Sequence, residues 1–407
     1  MKRILYLLIP FITTVCGAQE KAPILSATPP MGWTSWNYFD ENINEKNIRE
    51  MADAMISSGM TDAGYQYILI DDGWPGGRDV RNNIIADPKK FPSGMKALAD
   101  YLHSKGLKLG LYSDAAQLTC GGYTASYGFE QQDAKTFASW GIDYLKYDYC
   151  NAPEDSVSAK IRYKAMADAL KASGRDIVFG VCEWGHRLPW RWASGIGAQL
   201  WRCAGDVRDK WRDNNPNRNP PYTGTYGILD MIDDNSVLSK YAGPGKWNDM
   251  DALIVGLYGH PGVTSISGAK GCTDVEYQTQ MSMWSMMSSP LVASNDMRTM
   301  NEITKKILFN KDVIALDQDP LGAQAILKIK NQNWYVFLKP LANGDYAVSI
   351  LNLSNAVMDY KLLFQEIGLP GNYTVYDTWQ HANMGSGNNW SGKVLSHETK
   401  VFRLKKV

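Results

Sequence analysis

Glu130-Gln-Gln-Asp-Ala-Lys-Thr-Phe-Ala-Ser-Trp140, then Gly141-Ile-Asp143, then Tyr144-Leu-Lys-Tyr-Asp148, is the stretch whose reading decides the fold. In its first part the apolar residues Ala134, Phe137 and Ala138 recur at spacings of three and four, the period of an amphipathic helix. Gly141 follows where a left-handed helix cap favours glycine. The last part is a short run rich in tyrosine and leucine, of strand character, that ends on an acid.

The same unit recurs on both sides. Glu45–Ser58, Gly94–Lys105 and Val157–Ser173 have helical spacing, and Gly59, Gly106 and Gly174 stand just past them. Tyr67–Asp71, Leu107–Tyr112 and Ile177–Cys182 read as strands. Strand–helix alternation sustained over roughly 280 residues predicts a parallel sheet, and that length suits a (β/α)8 TIM barrel over residues 19–320. A doubly wound open sheet is the competing architecture, but no Gly-x-Gly-x-x-Gly follows the first strand read here. Beyond Asp319-Pro320-Leu321 helical periodicity nearly vanishes. Trp334–Leu338, Asp345–Leu353, Tyr373–Asp377 and Lys400–Leu404 are β-type runs between Asn/Gly-rich turns. Residues 321–407 therefore read as a small C-terminal antiparallel β-sandwich.

The amino terminus has another character. Lys2 and Arg3 precede an apolar run from Ile4 to Val15, and small residues Gly17 and Ala18 lead into polar Gln19 and Glu20. That is the layout of a signal peptide over residues 1–18 cleaved near Ala18, which predicts a secreted or periplasmic protein. The run is short for a membrane span. Cys16 as a lipid-anchored residue is the rival, but Thr13, Thr14 and Val15 before it fit such a site poorly.

The 42 basic and 42 acidic residues cancel, which argues against a nucleic-acid or anionic-membrane surface. The 14 tryptophans and 22 tyrosines suit stacking on sugar faces, though aromatic residues also fill cores. Nothing in the sequence reports oligomeric state.

Acids end the strands. Ile70 leads into Asp71-Asp72, Tyr147 into Asp148 and Cys182 into Glu183; Leu200-Trp-Arg202 precedes Asp206, and Trp247-Asn248 precedes Asp249 and Asp251. In a β/α barrel the active-site groups come from the carboxyl ends of the strands. Any one acid could be a helix cap or turn residue. Trp33, Trp36, Trp74, Trp184, Trp201 and Trp247 lie beside the same strand ends, and a ring of acids and aromatics fits a carbohydrate site better. Only 5 histidines occur, without His-x-His or His-Glu-x-x-His spacing, so no metal or other cofactor is expected. Paired carboxylates without histidine or metal are what glycoside hydrolysis uses. Lys146 lies two residues before Asp148 on one strand, hence on the same face, where its ammonium is expected to favour the ionised carboxylate.

Pro30-Met-Gly-Trp-Thr-Ser-Trp-Asn37, Ile70-Asp-Asp-Gly-Trp74, Tyr144-Leu-Lys-Tyr-Asp-Tyr-Cys150, Cys182-Glu-Trp184, Trp201-Arg202 with Asp206, and Gly243-Pro-Gly-Lys-Trp-Asn-Asp249 resemble the α-galactosidases of glycoside hydrolase family 27. The resemblance spans essentially the whole chain after the leader. It implies retaining hydrolysis of terminal α-galactosyl groups on oligo- or polysaccharides through a covalent intermediate, without a cofactor. By the same resemblance Asp148 is the nucleophile and Asp206 the acid/base. Asp71 and Asp72 grip the 6- and 4-hydroxyls, Lys146 reaches the 3- and 4-hydroxyls, and Glu183 and Arg202 meet the 2- and 3-hydroxyls. Trp36, Tyr112, Cys182 and Asp251 line the pocket. The relatives of other specificity, β-L-arabinopyranosidases and α-N-acetylgalactosaminidases, are the alternative readings.

The resemblance also implies a disulfide between Cys120 and Cys150. The partner that animal members give Cys182 falls near Ala198, so that bridge is absent, and Cys203 and Cys272 have no counterpart. Two features bear on the sugar. Glu183 retained as an acid is expected to crowd a 2-acetamido group, and both members of the Asp71-Asp72 pair being Asp leaves room for C6. Both favour galactose. After Cys182-Glu-Trp184 the sequence departs from the animal members, reading Gly185-His-Arg187 in place of Pro-Leu-Tyr.

Overall fold

The computed structural model describes residues 24–213, 226–260 and 270–407. The leader reading and Cys16 lie outside these residues. Among the described residues no helix is long and apolar enough to cross a membrane.

Eight parallel strands form the amino-terminal sheet: β1 (Met31–Thr34), β2 (Tyr67–Leu69), β3 (Lys108–Asp114), β4 (Tyr144–Asp148), β5 (Val178–Val181), β6 (Leu200–Arg202), β7 (Trp247–Asp249) and β8 (Leu291–Ala293). From β1 to β7 each strand pairs in parallel with the next in sequence, and β8 pairs with β1, so β7 and β8 are the two edges. Past β7 the chain regains the sheet through a Leu253–Ala293 bridge, which joins the two edges into a barrel. The expected helices are present as Glu45–Ser57, Gly94–His103, Glu130–Trp140 and Ser156–Ala172. Gly59, Gly106, Gly141 and Gly174 all have φ between +75° and +82°, the left-handed region that the capping argument requires.

Three parts of the barrel depart from the sequence reading, one of them β8, whose three residues are not read as a strand. β1 was not read as a strand: its four residues are too few for a visible period, and it is held by pairing on both sides. Between β5 and β6 the expected alternation fails. Two short 3-10 turns, Pro189–Arg191 and Ala193–Ile196, stand where a helix would be.

The carboxyl-terminal part has a six-stranded antiparallel sheet facing a two-stranded one (Met358–Leu363 with Asn389–Val394). Strand Trp334–Pro340 shows why it adheres to the barrel. Trp334 and Val336 point into the sandwich core, while the alternate Tyr335 and Phe337 join the barrel core. Lys339 continues the barrel-facing set. Its ammonium is fully buried and donates to Ser285 O (2.9 Å) and Ser288 Oγ (2.8 Å) at the end of helix Asp274–Met287. Burial pushes this amine down to about 8, against the pull of Asp317.

Candidate active site

Parallel strands place every strand's carboxyl end on one face of the barrel, and the acids collect there. A cavity of about 260 Å³ is lined by Trp36, Asp71, Asp72, Tyr112, Cys120, Lys146, Asp148, Cys182, Trp184, Arg202, Asp206, Asp249 and Asp251, among others. This is below the roughly 300–1,000 Å³ of sites for drug-sized ligands, and suits a single sugar ring.

Its floor is an ion pair. Lys146 Nζ donates to Asp71 Oδ2 at 2.8 Å. Burial works against the Lys146 charge, but Asp71, with Asp148 adding, keeps the ammonium protonated. Asp72 is fixed by the amides of Gly121 and Gly73, both at 2.8 Å. Gly121 follows Cys120, and the Cys120–Cys150 disulfide ties this loop to the end of β4. A side chain at Gly121 would meet Glu41 Oε1 at 2.6 Å and Asp72 Oδ2 at 2.9 Å, so the close amide approach needs glycine.

Asp148 ends β4 with its carboxylate oriented from two sides. Tyr112 Oη donates to Oδ2 at 3.0 Å and the Tyr149 amide to Oδ1 at 3.0 Å. Burial raises its pKa to about 6; Lys146 opposes this and the charge of Asp206 reinforces it. The sequence predicts that Lys146 favours the charged form of Asp148. Lys146 acts in that direction, but its ammonium is bound to Asp71 and the burial cost prevails.

Asp206 stands across the cavity on the loop after β6. Burial disfavours its charge, but Arg202, then Lys146 and Arg208, outweigh that and hold the carboxyl below the usual range. Arg202 is the organiser here. Its Nη2 reaches Asp206 Oδ1 at 3.0 Å and Gly205 O at 2.7 Å, while Nη1 lies 3.2 Å from Asp251 Oδ1. Asp251 in turn accepts the Val207 amide at 2.9 Å, fixing the backbone beside Asp206.

Among the described residues, one set of potential metal ligands converges: Asp114, Cys120, Asp148 and Cys150. Both sulfurs are tied in the disulfide, and burial pushes Asp114 up to about 9, with the charge of Asp148 adding to the rise.

Glu183 is the one expected site residue that the structure removes from the cavity. Its carboxylate is completely buried and takes the Arg187 amide (3.0 and 2.9 Å) and guanidinium (3.0 Å). Burial raises its pKa to about 7 despite Arg187. The departure at 185–187 explains the retreat, since it supplies both a glycine for the turn and an arginine to receive the acid. Trp184 adopts φ +54° and takes the place on the cavity wall, with Cys182 beside it 3.9 Å from Arg202 Nη1. Sequence reasoning named Trp184 only as one of several tryptophans near strand ends. Gly185, at φ +79°, packs so that a Cβ would sit 2.3 Å from Cys203 O. Gly185→Ala is expected to cost about 1–3 kcal/mol of stability in denaturant unfolding, with reduced activity because the turn carries Trp184. Asp249, in the sequence one of the strand-end acids, also lines the cavity. Cys182, Cys203 and Cys272 are buried free thiols, in keeping with the missing partner near Ala198.

The sequence profile described as alpha galactosidase A matches residues 28–319, and that of the alpha galactosidase C-terminal beta sandwich domain matches residues 331–404. The chain belongs to the alpha-galactosidase A family. Membership in this family, glycoside hydrolase family 27, makes it a glycoside hydrolase. The chain is 47% identical to alpha-galactosidase A of Cellvibrio japonicus over 86% of its own length and 82% of that protein. It is 41% identical to alpha-galactosidase of Oryza sativa subsp. japonica, covering 93% and 85% of the two chains. The crystal structure of alpha-galactosidase I from Mortierella vinacea superimposes with a TM-score of 0.88 at 35% identity, covering 94% of this chain and 98% of that one.

Proposed function

We propose that this chain is a retaining exo-α-galactosidase that removes terminal α-linked galactose, with Asp148 as nucleophile and Asp206 as acid/base. The observation that carries the reading is the cavity itself. Asp148 and Asp206 both line one recess of single-sugar size, walled by Trp36 and Trp184 and floored by Asp71 and Lys146. Asp148 attacks the anomeric carbon as Asp206 protonates the departing oxygen, giving a β-galactosyl ester. Asp206 then deprotonates the water that cleaves this ester, so configuration is retained. Asp71, Asp72, Lys146 and Arg202 are placed to bind ring hydroxyls. Substrates are oligo- or polysaccharides with terminal α-galactose, and no cofactor enters this scheme.

The leader-like segment of residues 1–18, with Lys2, Arg3 and the apolar run, supports export to the periplasm or medium, where the Cys120–Cys150 disulfide is stable. We read residues 19–320 as the catalytic barrel and 321–407 as the sandwich.

The pH profile tests the carboxyl pair. Activity needs one proton shared by Asp148 and Asp206, and the pair titrates as a unit. With Asp206 held low and Asp148 raised to about 6, the single proton is present between those limits and lost above about pH 6. The value of kcat/KM on an alkyl α-galactoside is therefore expected to be bell-shaped, with its alkaline limb near pH 6. A rate that keeps climbing to pH 8 would contradict the assignment. On a 2,4-dinitrophenyl galactoside, whose leaving group needs no acid, Asp206→Asn should abolish that limb.

A further inference from the structure

The loop that carries Asp206 is fastened at points remote from the cavity. Asp209, three residues on, is buried and accepts from three donors: the Tyr277 hydroxyl, which lies 2.8 and 2.9 Å from its two oxygens, the Gly259 amide (2.7 Å) and the Cys272 amide (2.8 Å). The fit is tight enough that a Cβ at Gly271 would lie 2.4 Å from Asp209 Oδ2. Two residues further, Trp211 lies flat on the ring of His397, with centroids 4.3 Å apart and planes 10° from parallel.

His397 belongs to the C-terminal sandwich, in the turn before strand Thr399–Lys406. Its Nδ1 lies 2.7 Å from Glu276 Oε1, and its carbonyl accepts from Thr279 Oγ1 at 2.7 Å. Glu276 and Tyr277 are neighbours in the first turn of helix Asp274–Met287. One turn of helix thus holds Asp209 by Tyr277 and His397 by Glu276, and His397 closes the circuit on Trp211.

We propose that the C-terminal sandwich serves the reaction: through His397 it braces the loop at Trp211 and Asp209 and so sets the position of Asp206. Trp211, Asp209, Tyr277 and His397 are positioning residues, not catalytic ones. The inference rests on reading Asp206 as the acid/base. On kcat/KM, which reports only the steps through formation of the ester, a displaced general acid harms only substrates that need a proton on the leaving oxygen, whereas general loss of structure harms all substrates alike.

The test compares kcat/KM on methyl α-galactoside and on 2,4-dinitrophenyl α-galactoside for Trp211→Ala, His397→Ala and Asp209→Asn, with Asp206→Ala as reference. Proton transfer by a placed acid is worth about 10²–10⁴-fold, and a displacement of about 1 Å can cost on the order of 10²-fold. The loop variants should lose roughly 10–100-fold on the methyl glycoside and less than about threefold on the activated one. Equal losses on the two substrates would overturn the proposal. Retained hydrolysis of the activated substrate shows that a variant is folded. Should Asp209→Asn not accumulate, Tyr277→Phe removes the hydroxyl that holds Asp209 while keeping the ring. Asp206→Ala must show the strongest discrimination. If it shows none, the acid/base assignment itself fails, whereas discrimination there and equal losses in the loop variants reject only the brace.

Discussion

Asp148→Ala is expected to lower turnover of an aryl α-galactoside by on the order of 10⁴–10⁶-fold, the range seen when a covalent catalytic group is deleted. Added azide should restore part of the rate and yield β-galactosyl azide. The anion fits the space left by the carboxylate and attacks the α-glycoside directly, with one inversion. Asp206→Ala should behave in the opposite sense. Asp148 still forms the β-linked ester with an activated substrate, azide replaces water in the second step, and two inversions give α-galactosyl azide. The structure supplies what each outcome requires. Tyr112 Oη and the Tyr149 amide aim Asp148 independently of substrate, and Arg202 anchors Asp206 on the loop after β6. Product anomers read by NMR decide the matter: an α-azide from Asp148→Ala would exchange the two roles.

The fold was legible where local signals agreed. The Glu130–Asp148 stretch has a helical period, a glycine that must be left-handed, and a strand ending on an acid, and all three occur at the expected residues. β1 was not legible, because four residues carry no period and its strand character comes from neighbours far along the chain. The acids of the site were legible from their place at strand ends, since parallel topology gathers those ends on one face. Their charge states were not. They depend on which cation each carboxylate meets in space, and Lys146, adjacent to Asp148 in the strand pattern, bonds to Asp71 from another strand. The brace on Asp209 was hidden for the same reason: its partner Tyr277 is 68 residues away.

Glu183 is the sharpest case of a family position whose role depends on residues around it. Arg187→Met should destabilise the protein by about 3–5 kcal/mol, the cost of leaving one member of a buried pair without its partner. Arg187 gives Glu183 both a guanidinium and an amide, and also lies over Tyr149 at 4.5 Å, so methionine keeps much of the packing and removes the charge. The pH dependence fixes the cause. Even with Arg187 present, burial raises Glu183 to about 7, above the ordinary value of 4.5. The folded state therefore holds this proton more tightly than the unfolded state. The associated stability is full below about pH 4.5 and is lost as pH rises through 7. Without Arg187 the folded value rises further, so the loss should be larger at pH 8 than at pH 5. Glu183→Gln in the same chain should recover most of it. Urea unfolding at the two pH values measures this directly, and an equal deficit at both would show that lost packing, not an uncompensated carboxylate, is responsible. The same geometry reverses the expectation for specificity. Glu183→Ser opens no space in the cavity, so it should bring no gain on N-acetylgalactosaminides. A gain would mean that the carboxylate leaves Arg187 when substrate binds.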